Sequence, residues 1–292
     1  MGKTQTSPGT LYMVATPIGN MDDISSRALD ILGRVDWIAA EDTRRTARLL
    51  SRHQIRGRTL SCHEHNEKER SVFLIQELLA GRSVAYVSDA GSPAVSDPGA
   101  RLVKEAADNG IDASPIPGPS AAIAILTASG MSADSFMFAG FCPRKKSRRE
   151  KRLKALAEGR DTLVFYESPK RILPFLDEMI AVMGDREAVL GREMTKLHEE
   201  FIRGALSHIR DELAGRPSVK GECALAVSGS PPENEDEKDP EALMAAVRDA
   251  LGEAFEKGDM TPSQISRKIA ARFGLPRSEV YGEAMKIRRE KS

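Results

Sequence analysis

The sequence contains few cysteines and no long apolar run. Its 292 residues include only Cys62, Cys142 and Cys223, which are far apart and have no Cys-x-x-Cys spacing. An odd number in this arrangement excludes a disulfide framework and indicates a reducing compartment. No run approaches the roughly 18 apolar residues of a membrane helix, and the first residues lack the apolar core of a signal peptide. We therefore expect a cytoplasmic protein that does not enter a membrane.

The chain also lacks an excess of charge of either sign. Its 43 basic and 43 acidic residues cancel. This balance excludes a surface that is basic throughout, so a nucleic-acid site would have to be a local patch. The remaining composition, 40% hydrophobic and 29% charged, is that of an ordinary globular protein. The length exceeds what one hydrophobic core usually fills, and it predicts at least two domains.

Motifs for several kinds of chemistry are missing as well. There is no Gly-x-x-x-x-Gly-Lys-[Ser/Thr] sequence, so a P-loop is not expected. Residues 62–65 combine cysteine, histidine and glutamate, but in one extended stretch neighbouring side chains alternate between opposite faces. We therefore expect no metal. His198 and Cys223 have no partner pattern for covalent hydrolysis.

Short apolar runs alternate with helical patterns in the first part of the chain. The predicted elements are strands at 11–15, 37–40, 84–87 and 111–115 and helices at 66–80 and 102–109. Asn66 and Glu69 have the spacing of a capping box at the start of the first helix. This alternation predicts a parallel α/β domain over residues 1–119.

The pattern changes in residues 120–230, which predict a second α/β domain. Its predicted elements are strands at 135–141, 162–166, 188–192, 200–204 and 223–228 and helices at 170–183 and 207–213. A short turn at 196–199 joins two of these strands, and this connection predicts a mixed sheet.

The last part of the chain begins with a change of composition. Residues 231–241 hold six acidic residues and three prolines, which predicts a solvated linker. Residues 242–292 predict a helical C-terminal module with helices at 242–255, 262–273 and 276–289. Thr261 supplies an N-cap before Pro262.

Three loops rich in glycine and proline follow predicted strands, at 16–20, 88–99 and 117–122. In a parallel sheet such loops lie at one edge, where their backbone groups meet ligands, although turn chemistry alone also explains each loop. The loop SDAGSPAVSDPG has two glycines, two prolines, three serines and two aspartates, but no basic residue. A ligand there is therefore held by backbone groups and small side chains, and a triphosphate is not expected.

Six motifs together carry a family resemblance: TPIGN, AAEDTR, SDAGSPAVSDPG, PGPSAA, FYESPKR and GREMTKLHEE. In order along residues 10–230 they resemble the tetrapyrrole-methylase-like superfamily of S-adenosylmethionine-dependent methyltransferases, and within it the branch that methylates small-subunit ribosomal RNA. The departures are Ser92, Val95 and Cys142, where threonine, isoleucine and leucine are more usual. None of them removes a needed functional group.

The resemblance implies two α/β domains with S-adenosylmethionine between them, a homodimer, and methylation of a cytidine ribose 2′-hydroxyl in the decoding region of the RNA. The third motif and the start of the helix after PGPS would hold the methionine and ribose parts of the cofactor, and strands of the second domain would close over the adenine. The cofactor contacts that it implies are Pro17, Gly19, Ser88, Asp89, Ala90, Gly91, Ser92, Val95, Ser96, Ser120, Ala121, Tyr166, Ser168, Ala224 and Ala226.

Methyl transfer to a ribose requires groups that position the hydroxyl and remove its proton. The predicted catalytic residues are Glu41, Asp42 and Arg44, and further candidates are Glu167, Glu193 and Lys196. We favour Arg44 as a phosphate or substrate contact and Glu41 as a group that orients the loop or accepts the proton. A carboxylate beside an arginine is also typical of a structural ion pair, so both interpretations remain open.

An RNA substrate has independent support in residues 142–153, which hold seven basic residues and one glutamate. This density favours a path for phosphates over a solvated helix start. The predicted RNA contacts are Arg144, Lys145, Lys146, Arg148 and Arg149. The basic C-terminal helices are either a small RNA-docking module or a packing appendage.

Two other functions remain as alternatives. A tetrapyrrole ring as substrate would require a deep pocket, and the basic segments count against it. A non-enzymatic RNA-binding protein of the same fold is disfavoured because the third and fourth motifs are intact.

Overall fold

The computed structural model describes residues 7–231, 240–257, 260–273 and 275–290. The chain divides into two compact units, Met1–Ser230 and Pro231–Ser292. The first unit holds two sheets of five strands each, and the second holds helices. The α/β class predicted from the sequence is confirmed.

The first sheet is parallel throughout. Its strands are β1 (Leu11–Val14), β2 (Trp37–Ala40), β3 (Thr59–Ser61), β4 (Val84–Val87) and β5 (Ala113–Ile116). The helices between them are α1 (Ser26–Arg34), α2 (Thr43–Arg52), α3 (Glu67–Leu79) and α4 (Ala100–Asp108). The strand order is β3-β2-β4-β1-β5, so the loops after β1, β2, β4 and β5 leave from one edge of the sheet.

Helices cover both faces of this sheet. Ala85 and Val87 pack in one apolar cluster with α1 and α2, whereas Val84 and Tyr86 pack in another with α3 and α4. All four residues of β4 are buried because successive side chains alternate between these two clusters. This double burial explains the continuous apolar run in the sequence.

The second sheet is mixed, as predicted. Its strands are β6 (Phe136–Phe141), β7 (Thr162–Glu167), β8 (Glu187–Arg192), β9 (Glu200–Ala205) and β10 (Cys223–Val227), in the order β6-β7-β10-β8-β9. The associated helices are α5 (Ala121–Ser129), α6 (Lys146–Ala157), α7 (Ile172–Met183) and α8 (Leu206–Ala214). β6 is parallel to β7, and the other pairs are antiparallel.

Helix α5 connects the two sheets. It begins directly after the loop that follows β5, and Ile125 packs with Val189 and Ala226 on one face of the second sheet. The other face is covered by α6, α7 and α8. The loop at the carboxyl end of β5 therefore leads directly to a helix that packs on the second sheet.

The second unit contains α9 (Pro240–Lys257), α10 (Pro262–Phe273) and α11 (Arg277–Glu290). Their shared core includes Val247, Ile265 and Val280. The predicted cap is present, because Thr261 Oγ1 accepts a hydrogen bond from the Gln264 amide at 3.4 Å. Of the predicted linker, residues 232–239 lie outside the described residues, and α9 already includes residues 240–241. The predicted boundary at residue 119 stays a prediction.

One local prediction is wrong in its detail. Asn66 begins α3 but makes no capping hydrogen bond to it. Its side chain instead accepts from the His63 amide at 2.8 Å and donates to the Ser61 carbonyl at 3.3 Å. The turn before the helix therefore uses the side chain that the capping box required. Within the described ranges, no helix has the length and apolar character needed to cross a membrane.

Candidate active site

The predicted loops meet at the carboxyl edge of the first sheet. Thr16 after β1 and Gly91 after β4 exchange two backbone hydrogen bonds, at 2.9 and 3.0 Å. The Thr16 hydroxyl also donates to the Ser88 carbonyl at 3.1 Å, and the Ser88 hydroxyl donates to the Gly91 carbonyl at 3.0 Å. These bonds fix the start of the 88–99 loop against the loop after β1.

The rest of the 88–99 loop has an unusual backbone. Ala94 and Ser96 have φ values of 66° and 62°, in the left-handed region that side chains rarely adopt, and Gly91 has a φ of 78°. The loop ends at Gly99, whose amide donates to Glu67 Oε1 at 2.9 Å. Strain of this kind persists only where the surroundings enforce it, which makes this loop a candidate ligand site.

A cavity of about 410 Å³ lies beside this loop and between the two sheets. The first sheet and its loops contribute Ile18, Glu41, Arg45, Asp89, Ala90, Gly91, Ser92, Val95, Ser96 and Asp97. Helix α5 and the second sheet with its loops contribute Ser120, Ala121, Phe141, Tyr166, Glu167, Ser168, Pro169, Met194, Glu222, Cys223 and Ala224. We refer to it as the first cavity. All three predicted loops contribute to its wall.

Acidic groups dominate the polar part of the first cavity. Burial raises the pKa of Asp97 to about 7, and the nearby carboxyls of Glu41 and Asp89 add to the rise. Burial also raises the pKa of Glu41, with a further contribution from Asp89. Glu41 Oε2 is buried and makes no hydrogen bond within the described part of the chain. The first cavity therefore favours a cation or a proton donor.

The wall from the second sheet is more apolar and firmly held. The Tyr166 hydroxyl accepts a hydrogen bond from the Ala122 amide at 2.9 Å and so connects β7 to the start of α5. Glu167, which is buried, pairs with Arg171 at 2.6 Å. Cys223 is also buried, and burial raises its pKa to about 11, so it is a neutral thiol at pH 7.

The structure separates the three predicted catalytic residues. Glu41 lines the first cavity, but Asp42 and Arg44 do not. The Asp42 carboxylate accepts from the Arg44 amide at 2.8 Å and pairs with the Arg44 guanidinium, which holds the pKa of Asp42 well below its usual range. The Arg44 side chain is 87% exposed. Asp42 and Arg44 thus stabilise the start of α2.

The predicted cofactor residues lie in three different places. The first cavity is lined by Asp89, Ala90, Gly91, Ser92, Val95, Ser96, Ser120, Ala121, Tyr166, Ser168 and Ala224. Pro17, Gly19 and Ser88 line a neighbouring cavity instead, and Ala226 is buried in the contact between β10 and α5.

The neighbouring cavity, of about 320 Å³, is referred to as the second cavity. It shares Ile18, Arg45, Asp89, Ala90 and Glu222 with the first cavity. Its wall adds two further cations, Arg48 of α2 and Lys196 of the loop between β8 and β9. The two cavities therefore adjoin but have different charge.

The predicted RNA-binding residues lie at the start of α6. Arg144, Lys145, Lys146 and Arg148 are exposed. Arg149 is different, because its guanidinium pairs with Glu178 at 2.5 Å and its side chain is only 11% exposed. It also donates to the Pro143 and Arg144 carbonyls, at 3.2 and 3.0 Å. Arg149 therefore holds the segment in place and leaves four exposed cations for a ligand.

Sequence reasoning missed several residues of the first cavity. Arg44 was predicted as a site residue and the adjacent Arg45 was not, although both lie in the sequence EDTRR at residues 41–45. Asp97 lies in a motif that the sequence did identify, so its acidity in a loop without basic residues was an available signal. Met194 lies in the GREMTKLHEE motif, but an apolar residue there gave no sign of a cavity contact. Glu222 comes from a turn that is distant in sequence, and no local pattern marks it.

Comparisons with known proteins agree with this architecture. The family model for tetrapyrrole (corrin/porphyrin) methylases matches residues 10–210. A protein of Mesorhizobium japonicum named ribosomal RNA small subunit methyltransferase I is 47% identical, covering 87% of this chain and 88% of its own length. A Bacillus subtilis protein of the same name is 41% identical, covering 94% of this chain and 93% of its own length.

Solved structures share the fold at lower sequence identity. Uroporphyrin-III-C-methyltransferase from Thermus thermophilus has a TM-score of 0.54 and 20% identity, over 76% of this chain and 94% of that one. Cobalt precorrin-4 methyltransferase has a TM-score of 0.57 and 18% identity, over 75% and 94%. At such identities the likeness concerns the fold alone. From the family model and the relatives together, the chain belongs to the tetrapyrrole methylase family and, within it, to the ribosomal RNA small subunit methyltransferase I proteins.

Proposed function

We propose that the chain transfers a methyl group from S-adenosylmethionine to the ribose 2′-hydroxyl of a cytidine in the decoding region of small-subunit ribosomal RNA. The methyl donor of this family is S-adenosylmethionine. The names of the relatives support a small-subunit ribosomal RNA substrate, and the family resemblance stated above implies the ribose position. The observation that carries the proposal is the acidic cavity enclosed by the strained 88–99 loop.

The first cavity suits this cofactor in charge and in shape. S-Adenosylmethionine carries a sulfonium and an ammonium cation with a single carboxylate, and the cavity presents the carboxyls of Glu41, Asp89 and Asp97. The small side chains of the 88–92 stretch allow a ligand close to the backbone. The apolar wall around Tyr166 and Ala224 suits an adenine ring. We assign the cofactor contacts to these residues.

When bound, the cofactor supplies an electrophilic methyl group, so the protein has to position the hydroxyl and accept its proton. Glu41 is suited to the second task, because the residue lines the cavity and its Oε2 has no hydrogen-bond partner among the described residues. Burial raises its pKa toward the working pH, which favours a general base. The catalytic roles of Asp42 and Arg44 stay predictions.

The cavity favours a hydroxyl over a pyrimidine carbon as the acceptor. Methylation at a pyrimidine carbon uses a thiolate that adds to the ring, whereas Cys223, which lines the cavity, has a pKa raised to about 11. A thiol that stays protonated is a poor nucleophile. Carboxylates beside the cavity suit proton removal from a hydroxyl.

The RNA partner belongs to the same proposal. Arg144, Lys145, Lys146 and Arg148 form an exposed basic patch at the start of α6 that can follow phosphates. We propose either free small-subunit RNA or the assembled subunit as the partner. A homodimer and a cytoplasmic location complete the proposal.

The test is methyl transfer from labelled S-adenosylmethionine to small ribosomal subunits that lack the modification, followed by nucleoside analysis. We expect label in 2′-O-methylcytidine. At saturating cofactor, Glu41→Gln should lower kcat by about 100-fold, the size typical of a lost general base. Label in a base, or transfer only to a tetrapyrrole, would refute the proposal.

A second variant examines the prediction for Arg44. Loss of transfer by Arg44→Ala with intact cofactor affinity would support a substrate contact. Unchanged transfer would show that Asp42 and Arg44 only stabilise the start of α2.

A further inference from the structure

The second cavity contains cationic side chains and adjoins the cavity assigned to the cofactor. We propose that it binds the phosphate groups of the RNA strand beside the target nucleotide, with Arg45 and Arg48 as the contacts. This inference rests on the proposed function. These two arginines lie on α2, whereas the RNA contacts predicted from the sequence lie at the start of α6.

The strongest evidence for a phosphate site is Arg48, because no acidic group among the described residues compensates its charge. It lies in the wall of the second cavity and is exposed. Two other arginines of α2 form ion pairs, Arg44 with Asp42 at 2.8 Å and Arg52 with Asp22 at 2.9 Å. Over residues 7–231 and the described C-terminal helices, no acidic group pairs with Arg48. An unpaired guanidinium in a cavity wall is suited to a phosphate, which it can bind through two parallel hydrogen bonds.

Arg45 lies one helical turn before Arg48 and faces both cavities. Its guanidinium is 3.5 Å from the Asp89 carboxylate, beyond hydrogen-bond distance, and its side chain is 57% exposed. Such a loose, exposed pair contributes little to stability, so Arg45 is free to turn toward a phosphate. Its spacing of three residues from Arg48 places both guanidinium groups on one side of α2.

Lys196 has a different role. Its ammonium group lies 2.9 Å from both Glu193 and Glu222, which compensate its charge. The loop that carries it is fixed to the loop after β1, because the Asn20 amide donates to Thr195 Oγ1 at 3.0 Å. Lys196 therefore forms a wall opposite α2. The positive charge available to a phosphate comes from Arg48 and from Arg45 when it leaves Asp89.

The shared wall connects this site to the reaction. Asp89 and Ala90 line both cavities, so a strand held by Arg45 and Arg48 lies directly beside the cofactor site. The Asp42 amide donates to Asp89 Oδ1 at 2.9 Å, which fixes the start of α2 relative to this wall. Phosphate contacts at this position would set which ribose of the strand reaches the first cavity.

The experiment uses the full chain with Arg48→Gln, Arg45→Gln and the double variant. Arg52→Gln is the matched control, because Arg52 lies on the same helix, is 57% exposed like Arg45, and lies outside both cavities. Steady-state methyl transfer to unmodified small subunits gives kcat and KM at several salt concentrations. Calorimetry gives the affinity for S-adenosylmethionine.

We expect Arg48→Gln to raise KM for the subunits about tenfold, the loss of one charge-assisted contact. The dependence of log KM on log salt should flatten by about 0.7 per lost single-strand contact. Cofactor affinity should stay within twofold, and Arg48→Lys should recover part of the loss, because lysine keeps the charge but not the two parallel hydrogen bonds. The double variant should show the larger effect on both quantities.

Two results would overturn the inference. One is an Arg48→Gln enzyme whose KM and salt dependence match those of Arg52→Gln. The other is an Arg48→Gln enzyme that loses cofactor affinity, which would assign Arg48 to the cofactor. The wild-type enzyme tests the proposed function separately. If it transfers no methyl group to the subunits, the proposed function fails and this inference fails with it.

Discussion

The carboxyl group of Asp97 is expected to make cofactor affinity depend on pH. Burial, with the adjacent acids Glu41 and Asp89, raises the pKa of Asp97 to about 7. Below that pH the group is protonated and neutral, and above it the carboxylate attracts the cationic cofactor. Affinity should therefore fall as pH falls through 7. If the bound cofactor holds Asp97 fully ionised, the change from pH 8 to pH 6 is about tenfold.

The assay is calorimetric titration with S-adenosylmethionine at pH 6, 7 and 8, in buffers with different heats of ionisation. At pH 6 binding should release close to one proton. Asp97→Asn should bind more weakly at pH 8 and lose most of the pH dependence. S-Adenosylhomocysteine, which has the same amino-acid part but no sulfonium charge, should show a smaller slope. Equal slopes for the wild type and Asp97→Asn would refute the reasoning.

The same carboxyl group affects the stability of the cofactor-free protein. A pKa that is raised on folding means that the folded state binds more protons between about pH 4 and pH 7. The free energy of unfolding should therefore decrease as pH rises through this range. A rise of about three units corresponds to about 4 kcal/mol, and because solvent reaches the group we expect about 1–2 kcal/mol. Urea titrations of Asp97→Asn should show a flatter pH profile.

Two further predictions concern single positions in the first unit. Gly91 and Gly130 have φ values of 78° and 73°, so alanine at either position should cost about 1–2 kcal/mol in urea denaturation, but only Gly91→Ala should weaken cofactor binding in calorimetry. Equal affinities would remove the 88–99 loop from the cofactor site. Arg149→Gln should lower the free energy of unfolding by about 3 kcal/mol because it leaves Glu178 unpaired. Arg148→Gln should change stability by less than about 0.5 kcal/mol but flatten the salt dependence of RNA binding, and unchanged binding would refute a phosphate contact there.

Much of the fold is predictable because buried strands have a strong local signature. β2 and β4 lie at the predicted residues, since both consist of apolar residues with helices on both faces. β3 was missed because it has three residues and its first is exposed. The sequence of α2, TRRTARLLSR, also carries too little apolar character for recognition, and its burial depends on packing under the first sheet.

The candidate site shows the same division. Loops rich in glycine and proline after strands were predicted, and they line one cavity. The sequence did not distinguish Arg44 from Arg45, because successive residues of a helix point about 100° apart and the start of α2 was unknown. Arg149 was grouped with the predicted RNA contacts because it lies in the basic run. Its ion-pair partner, Glu178, is 29 residues away on α7 and could not be recognised from the local sequence. Long-range pairing of this kind has no local signal.

Asp89 lies between the two cavities and should couple their ligands. Its carboxylate is 3.5 Å from Arg45 in the cofactor-free protein. A cationic cofactor in the first cavity would compensate Asp89 and release Arg45 for a phosphate in the second. Because coupling is reciprocal, an RNA strand should raise cofactor affinity by the same factor, which we expect to be about fivefold. The measurement is calorimetry with S-adenosylmethionine, with and without an RNA strand whose target nucleotide is 2′-deoxy and so cannot be methylated. Arg45→Gln should abolish the coupling, whereas equal coupling in that variant would show that Asp89 and Arg45 do not transmit it.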